Sequence, residues 1–183
     1  VQGDDQIEVT ELINDSRKVT EGSVFVCISG AVSDGHAYVQ QVAEKGAAAV
    51  IVEKDVEAPE GLTVIKVENT RYALALTSAA YFGYPAEKLK VIGITGTKGK
   101  TTTTYMVKSI LEEVGIKVGL IGTIEAIIGD KSIPANNTTP ESYTIQKYFS
   151  EMVEEGCECV VMEVSSQGLM LHRVSGFVFD YGV

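Results

Sequence analysis

Cysteine is scarce in this chain of 183 residues, which carries only Cys27, Cys157 and Cys159. An odd number without framework spacing argues against a disulfide-stapled secreted domain. Alternation along CECVVMEV would place Cys157 and Cys159 on one face of a strand, and we expect both to be buried free thiols. The alternative is a metal-binding pair, which would need further ligands nearby, and the sequence shows none.

Basic residues are also in short supply, with 15 Lys and Arg against 25 Asp and Glu and a formal net charge of −10. Nucleic-acid backbones are held by basic surface, so this balance argues against a nucleic-acid partner. It leaves room for a small phosphorylated ligand, which needs only a few converging N–H groups and a lysine or two. Since no apolar run reaches membrane-spanning length and no signal peptide opens the chain, we expect a cytoplasmic protein without a membrane partner.

The first 87 residues alternate between strand and helix patterns. The polar segment AEKLK (86–90) follows Pro85 and marks an expected domain boundary, so that a small α/β domain covers residues 1–87. Strands are predicted at 23–28, 47–52 and 62–67, and helices at 36–45 and 71–84.

The remaining residues, 88–183, predict a doubly wound, mostly parallel sheet. On the helix at 102–115, five apolar residues are expected to form a single stripe that ends at Gly115: Met106, Val107, Ile110, Leu111 and Val114. The last strand is apolar and nothing caps it, so we expect the protein to continue past Val183. Strands are predicted at 89–95, 118–123, 157–164 and 177–183, a hairpin at 124–134, and a second helix at 141–156.

The segment GITGTKGKTTTT (93–104) joins a predicted strand to a predicted helix. The general phosphate-loop pattern G-x-x-x-x-G-K-[ST] would place its first glycine at Ile94, so the strict pattern fails. The context still predicts a phosphate loop, because Gly96 and Gly99 can take positive φ and let backbone N–H groups converge on phosphate oxygens. The alternative is a glycine-rich turn capped by threonines.

Three side chains would carry the chemistry of such a loop. Lys100 would contact the β- and γ-phosphates, the Thr101 hydroxyl would help to hold Mg²⁺, and Thr102 would add a second oxygen contact. Glu163 ends the strand CVVME and would supply the carboxylate that the metal needs, at the sheet edge where open α/β sheets bind ligands. The alternative for Glu163 is an ordinary strand-end carboxylate in water.

Three motifs, in this order and at these spacings, resemble the Mur ligases: TGTKGKTTT (95–103), NNTTPES (136–142) and MEVSSQGL (162–169). DSRKV (15–19) and GAVSDGHAYVQQVAEKGAAAVI (30–51) are similar to the N-terminal domain of the family member that adds a diamino acid to UDP-N-acetylmuramoyl-L-alanyl-D-glutamate, here called the UDP-muramoyl dipeptide. The resemblance covers nearly the whole chain. The family's loop variant, T-G-T-x-G-K-[ST]-[ST], accounts for the displaced glycines.

The resemblance implies an ATP-dependent, Mg²⁺-using ligase of peptidoglycan precursor synthesis that forms an amide through an acyl phosphate. It implies a UDP-substrate-binding domain at 1–87 and an incomplete ATP-binding central domain at 88–183. The C-terminal amino-acid-binding domain and the family's carbamoylated lysine would then lie beyond Val183, and the 183 residues alone would show no turnover. The implied partners are the UDP-muramoyl dipeptide and a diamino acid, and the protein would be a monomer.

Site residues also follow from the resemblance. Lys100 is the implied catalytic residue, and Thr101 and Glu163 are the implied metal ligands. On the residues alone, the alternative for His36 is the capping of a helix start, and for Thr138 and Thr139 it is the capping of the helix that opens near Glu141. The implied ATP loop comprises Gly96, Thr97, Lys98, Gly99, Lys100, Thr101 and Thr102, and the implied substrate contacts are Ser16, His36, Asn137, Thr138, Thr139, Ser165 and Arg173, with Arg17 a weaker candidate.

The sequence departs from the family pattern at three positions: Gln167 replaces a common histidine, Lys98 a usual asparagine, and Leu171 a glutamine of some relatives. Two other interpretations remain open. The chain could belong to another ligase, either a folylpolyglutamate synthetase, against which the DSR and GH segments argue, or a different Mur ligase. It could also be only a binding module. The sequence does not name the amino acid added, whether meso-diaminopimelate or L-lysine.

Overall fold

The computed structural model describes residues 1–4, 6–30 and 33–183, which form two compact units, Val1–Leu74 and Ala75–Val183. Ala31 and Val32, inside the segment 30–51 that resembles the family, lie outside the described residues. One helix, Thr70–Tyr81, begins in the first unit and ends in the second. The functional domain boundary after residue 87 stays a prediction.

The first unit is built on a four-stranded parallel sheet in the spatial order β1-β2-β3-β4. The predicted strands and helices are confirmed, whereas β1 was not predicted because two residues carry no alternating pattern. The core of this unit lies between the sheet and the helix Val39–Glu44, in which Val39 and Val42 are buried. The elements are β1 (Leu12–Ile13), β2 (Val24–Val26), a 3₁₀ turn (Gly35–Tyr38), α1 (Val39–Glu44), β3 (Ala49–Val52), β4 (Thr63–Lys66) and α2 (Thr70–Tyr81).

The second unit contains a six-stranded sheet in the order β10-β5-β9-β6-β7-β8, which confirms the α/β class. Its first four strands in that order are parallel, and the last two form the predicted antiparallel hairpin. The elements are β5 (Lys90–Ile94), α3 (Lys100–Glu113), β6 (Val118–Ile121), β7 (Glu125–Ile128), β8 (Lys131–Pro134), α4 (Ser142–Glu154), β9 (Cys159–Glu163), α5 (Ser166–Met170) and β10 (Tyr181–Gly182).

Strand β9 is buried along its whole length because helices cover both faces of the sheet. Cys159 and Val161 pack in the cluster that includes α3, and Val160 packs in the cluster that includes α4. Cys157 precedes the strand and belongs to the α4 cluster. The prediction that Cys157 and Cys159 share one face is therefore wrong, whereas the prediction that they are free and buried is confirmed.

The apolar residues of α3 do not form a single stripe, contrary to the prediction. Val107 and Leu111 pack toward the sheet, while Met106, Ile110 and Val114 are 59%, 64% and 71% exposed. Met106 and Ile110 each lie about 100° around the helix from the packed residue that follows, which turns them away from the sheet, and Val114 is the C-cap residue after α3. The predicted stop at Gly115 is confirmed, with φ of +87°.

The last strand is shorter than the predicted 177–183, since β10 covers only Tyr181–Gly182, with backbone hydrogen bonds from Asp180 to Val91 and from Val183 to Gly93 on either side of it. Phe177 and Phe179 pack against the α4 cluster instead. The Asp180 carboxylate accepts the backbone N–H of Val91 (2.8 Å) and pairs with Lys90 (2.8 Å), so a side chain holds this part of the edge. No helix in the described ranges combines the length and apolar character that a membrane crossing requires.

Candidate nucleotide and substrate site

The loop between β5 and α3 has the backbone of an anion cradle. Gly96 and Gly99 have φ of +135° and +82°, and Gly99 precedes the first turn of α3. Residues 95–99 are exposed, and the Lys100 ammonium donates to the carbonyl oxygen of Gly96 (2.8 Å). The loop therefore presents the unpaired N–H groups of a helix start, the feature that binds phosphate.

Glu163 lies beside this loop because β9 is the neighbour of β5, with Ile94 opposite Glu163 in the register. It is 1% exposed, so the alternative of a strand-end carboxylate in water is wrong. Its Oε2 accepts the hydroxyls of Thr101 (3.1 Å) and Thr123 (3.0 Å), and its Oε1 accepts the backbone N–H of Thr123 (2.8 Å). All three donors are uncharged.

A magnesium ion fits this donor set. In nucleotide sites Mg²⁺ is held by one or two carboxylates together with substrate phosphates and waters. Glu163 offers a buried carboxylate whose protein donors carry no charge, and Thr101 offers a hydroxyl at the start of α3. Among the described residues, no group of three or more His, Cys, Asp or Glu side chains could hold a metal by itself, so phosphate oxygens would complete the coordination.

Thr139 and Ser165 are hydrogen-bonded to each other and to the backbone. Thr139 Oγ1 donates to the carbonyl oxygen of Glu163 (2.9 Å), accepts the N–H of Ser165 (3.0 Å) and lies 3.2 Å from Ser165 Oγ. Ser165 Oγ also caps α5 by accepting the N–H of Gly168 (3.0 Å). A Cβ at Gly168 would lie 2.8 Å from Thr139 Cγ2, so only glycine fits here.

The N-T-T segment, residues 137–139, makes hydrogen bonds other than those that helix capping would require. Glu141 occupies the N-cap position of α4 without a side-chain capping bond, and the Thr138 hydroxyl lies 3.0 Å from that of Thr123. Arg173 donates to the carbonyl oxygen of Thr139 (3.0 Å) and pairs with Glu141 (2.8 Å). Helix capping by Thr138 and Thr139 is therefore wrong, and Arg173 is held against the segment.

Asn137 is exposed and lines a small cavity of ≈ 140 Å³ with Gly122, Glu141 and Tyr148. This cavity lies between the hairpin, the N-T-T segment and the start of α4. Lys98 and Gln167, which depart from the family pattern, are exposed, and the side-chain hydrogen bonds of the described residues include none from either that would reveal a role.

In the first unit, Ser16 lines an open depression of ≈ 790 Å³. Arg17 pairs with Asp15 (2.8 Å), and this hydrogen bond lowers the pKa of the Asp15 carboxyl to about 2. The carbonyl oxygen of Ser16 accepts the Lys45 ammonium (2.7 Å). The depression is lined by Asn14, Asp15, Ser16, Arg17, Lys18, Phe25, Ile28, Ser33, Gly35, Tyr38 and Gln41.

His36 uses both ring nitrogens within the chain, and its side chain is 7% exposed. Nε2 accepts the backbone N–H of Glu53 (3.1 Å), so the proton lies on Nδ1, which is 2.6 Å from Asp34 Oδ1. Asp34, rather than His36, caps the 3₁₀ turn. Lys54 and His36 hold the pKa of Asp34 well below its usual range. A substrate contact at His36 stays a prediction, and its ring nitrogens are already bonded.

Glu53 follows β3 and accepts three hydrogen bonds. Its Oε2 takes the backbone N–H (2.9 Å) and hydroxyl (2.8 Å) of Thr70, at the start of α2, and its Oε1 takes the Ser29 hydroxyl (3.1 Å). Burial by itself raises the pKa of Glu53, but these hydrogen bonds outweigh it and lower the pKa. The carboxylate thus joins a strand end to the next helix.

Thr123 is the site residue that sequence reasoning missed. It follows β6, which the strand order places next to β9. The only available signal was its position as a polar residue at the carboxyl end of a predicted parallel strand, a place where ligands bind.

Comparisons with known proteins agree with the resemblance of the motifs. Residues 8–118 match the profile of the Mur ligase family, catalytic domain, and residues 94–183 match that of the Mur ligase middle domain. The chain is 48% identical over 100% of its length to the UDP-N-acetylmuramoyl-L-alanyl-D-glutamate–2,6-diaminopimelate ligase of Clostridium perfringens. It is 51% identical over 99% of its length to ligase 1 of the same name from Clostridium acetobutylicum.

The match covers only part of these proteins, since the chain spans 38% of the length of each relative. A solved structure of a UDP-N-acetylmuramoyl-L-alanyl-D-glutamate–2,6-diaminopimelate ligase superposes with a TM-score of 0.77 at 21% identity. That alignment covers 95% of this chain and 35% of the other, and it supports the fold. The chain belongs to the Mur ligase family.

Proposed function

We propose that this chain is the UDP-substrate-binding and ATP-binding part of a cytoplasmic ligase that adds 2,6-diaminopimelate to the UDP-muramoyl dipeptide at the expense of ATP. Residues 1–87 would bind the UDP end of the substrate, and residues 88–183 would bind ATP. The names of the relatives that are 48% and 51% identical support the choice of substrate.

One observation carries the proposal for the second unit. The buried carboxylate of Glu163 and the hydroxyl of Thr101 lie 3.1 Å apart beside a loop whose glycines have positive φ and which opens a helix. This combination places a carboxylate, a hydroxyl and free N–H groups at the carboxyl ends of parallel strands, as ATP-dependent phosphoryl transfer requires.

The proposed reaction has two steps. The side-chain carboxylate of the D-glutamate attacks the γ-phosphorus of ATP, so that ADP leaves and an acyl phosphate forms. The amine of diaminopimelate then attacks the acyl carbon, phosphate leaves, and the nitrogen loses a proton as the amide forms. Activation is needed because a carboxylate is a poor electrophile.

The chain contributes positioning and charge neutralisation to the first step. Lys100 would exchange the carbonyl oxygen of Gly96 for a phosphate oxygen, and the N–H groups of the loop would bind the phosphates. Thr101 and Glu163 would hold Mg²⁺, which when bound neutralises charge on the phosphate oxygens. Asn137 and Thr138 would orient the muramoyl dipeptide, and Thr139, Ser165 and Arg173 would shape that side of the site.

Ligand binding to the 183-residue chain tests the proposal. We expect calorimetry to show saturable binding of the UDP-muramoyl dipeptide and of a non-hydrolysable ATP analogue with Mg²⁺. Lys100→Met should abolish nucleotide binding and leave dipeptide binding intact, whereas the matched change Lys108→Met, on the same helix, should leave both intact. Absence of dipeptide binding to the wild type would contradict the substrate assignment and favour another ligase of the family or a nucleotide-binding module.

The reaction itself needs a protein of the relatives' full length that carries this sequence. We expect its phosphate release to require ATP, the UDP-muramoyl dipeptide and diaminopimelate together. Phosphate release that proceeds equally well with L-lysine in place of diaminopimelate would contradict the proposed amino acid.

A further inference from the structure

Thr123 lies at the carboxyl end of β6 and touches two residues predicted to serve different ligands. We propose that Thr123 is a positioning residue whose single hydroxyl holds both Glu163, on the nucleotide side, and Thr138, on the dipeptide side. The proposal rests on the proposed function, since it assigns those sides from it. Neither the sequence motifs nor the family resemblance point to this residue.

The chemistry of the three groups fixes the direction of the hydrogen bonds. Thr123 Oγ1 lies 3.0 Å from Glu163 Oε2 and 3.0 Å from Thr138 Oγ1, but a hydroxyl has only one proton to donate. A carboxylate only accepts, so Thr123 donates to Glu163 and accepts from Thr138. The hydroxyls of Thr138 and Thr123 and the Glu163 carboxylate thus form one ordered chain.

The backbone around Thr123 makes this arrangement rigid. Its N–H donates to Glu163 Oε1 (2.8 Å), so one residue holds both oxygens of the carboxylate. The preceding residue is Gly122, where a Cβ would lie 2.6 Å from Glu163 Oε1. Strand pairing places Ile121 opposite Met162, which fixes the distance between the two strand ends.

The shared hydroxyl of Thr123 has more hydrogen-bond partners than the hydroxyl of Thr101 or Thr138 has. Thr101 contacts Glu163 only, and Thr138 contacts Thr123 only, among the side-chain hydrogen bonds of the described residues. Loss of the Thr123 hydroxyl frees the Glu163 carboxylate from one donor and Thr138 from its acceptor. We therefore expect the affinities for both ligands to fall when Thr123 loses its hydroxyl.

The experiment compares Thr123→Val, which removes only the hydroxyl from a side chain of the same shape, with Thr123→Ser, which keeps it. For the full chain, calorimetry should show that Thr123→Val weakens binding of the Mg²⁺–ATP analogue and of the UDP-muramoyl dipeptide by about tenfold each. Thr123→Ser should restore both affinities to within about twofold. Thr101→Val should weaken the nucleotide alone, and Thr138→Val the dipeptide alone.

A matched control separates positioning from general stability. Thr104 is buried, and its hydroxyl donates to the carbonyl oxygen of Thr101 (2.7 Å) without touching Glu163. Thr104→Val should lower the thermal unfolding temperature yet leave both affinities unchanged. The proposal is overturned if Thr123→Val changes neither affinity, changes only one, or changes them no more than Thr104→Val does.

The failure of the proposed function would look different, because the wild type itself would then fail to bind the dipeptide, the nucleotide or both. The role of Thr123 would in that case be judged from crystal structures of the wild type and Thr123→Val. A Glu163 carboxylate that moves by more than about 0.5 Å in the variant supports the positioning role. A carboxylate that stays in place overturns it.

Discussion

Two carboxylates at the ends of parallel strands, Glu53 in the first unit and Glu163 in the second, accept nearly the same set of hydrogen bonds. Each takes the backbone N–H and the hydroxyl of one threonine, Thr70 or Thr123. Each also takes one further hydroxyl, from Ser29 or Thr101 respectively. The hydrogen-bond pattern therefore does not by itself distinguish a structural carboxylate from a candidate metal ligand.

The groups around each carboxylate distinguish Glu53 from Glu163. Beside Glu53, Asp34 pairs with Lys54 (2.6 Å) and hydrogen-bonds the His36 ring, so these polar side chains are already engaged within the chain. Beside Glu163 lies a loop of exposed backbone with two positive-φ glycines. A carboxylate beside such a loop is a candidate metal ligand, because it would hold the ion together with oxygens of a phosphate bound on the loop.

The largest expected effect comes from neutralising each carboxylate in turn. Glu163→Gln should weaken binding of Mg²⁺ with the ATP analogue by more than the roughly 10–100-fold that loss of an outer-shell partner costs a metal site. Glu53→Gln should leave that affinity unchanged, since the Glu53 carboxylate is bonded to Thr70 and Ser29 within the first unit. Calorimetry on both variants checks the pair, and equal losses would remove the distinction between the two sites.

Gly122→Ala probes the space that Glu163 needs. The added Cβ would lie 2.6 Å from Oε1, and because the φ of Gly122 is not positive, displacement of the carboxylate is the main consequence. We expect about tenfold weaker nucleotide binding and a loss of about 1 kcal/mol in the free energy of unfolding. Gly182→Ala, where a Cβ meets nothing within 4 Å, is the control, and a Gly122→Ala protein with wild-type affinity would refute this reasoning.

Glu53 should matter for stability, and its effect should depend on pH. Hydrogen bonds lower its pKa in the folded state, so its contribution is present above the unfolded pKa of about 4.3 and is lost as the pH falls through the folded value. Urea titrations should show Glu53→Gln about 1 kcal/mol less stable than wild type at pH 7. The gap should close below pH ~4, and a gap that widens there would contradict the assigned hydrogen bonds.

The smallest effect is expected from treating the native chain with a reagent that alkylates thiols. This experiment tests the packing of both units without changing a residue of either site. All three cysteines are free and buried, and burial raises the pKa of Cys27 to about 12 and that of Cys159 to about 11. Iodoacetamide at pH 8 should leave the native chain unmodified and alkylate all three positions in urea, as judged by mass spectrometry. Rapid labelling of Cys159 in the native chain would show that α3 does not cover the sheet.

Much of the fold could be predicted from periodicity, because the longer elements repeat their pattern over several residues. The strands at 49–52, 90–94 and 159–163 and the helices at 100–113 and 142–154 were all anticipated. Short elements could not be, and β1 and α5 contain two and five residues. The last strand is shorter than predicted, since Phe177 and Phe179 pack against the α4 cluster through long-range contacts that a local pattern does not show.

The candidate site also contains both residues that the sequence predicts and residues that it does not. The loop and Glu163 could be predicted, because a local motif marks the loop and the end of a predicted strand marks Glu163. Thr123 could not, since only the order of strands brings β6 beside β9. For His36 the family resemblance implied a substrate contact, but its ring is already hydrogen-bonded. Its Nε2 accepts the N–H of Glu53, which only the fold brings beside it, and its Nδ1 bonds Asp34, two residues away.

The central claim is that the loop and Glu163, rather than the similar group around Glu53, form the site for ATP and its metal. A crystal structure of the chain with Mg²⁺ and a non-hydrolysable ATP analogue tests it most directly. The account predicts phosphates on the N–H groups of residues 96–101 and an ion about 2.0–2.1 Å from an oxygen of Thr101 or Glu163. A nucleotide bound elsewhere at saturating concentration, with this loop empty, would contradict it.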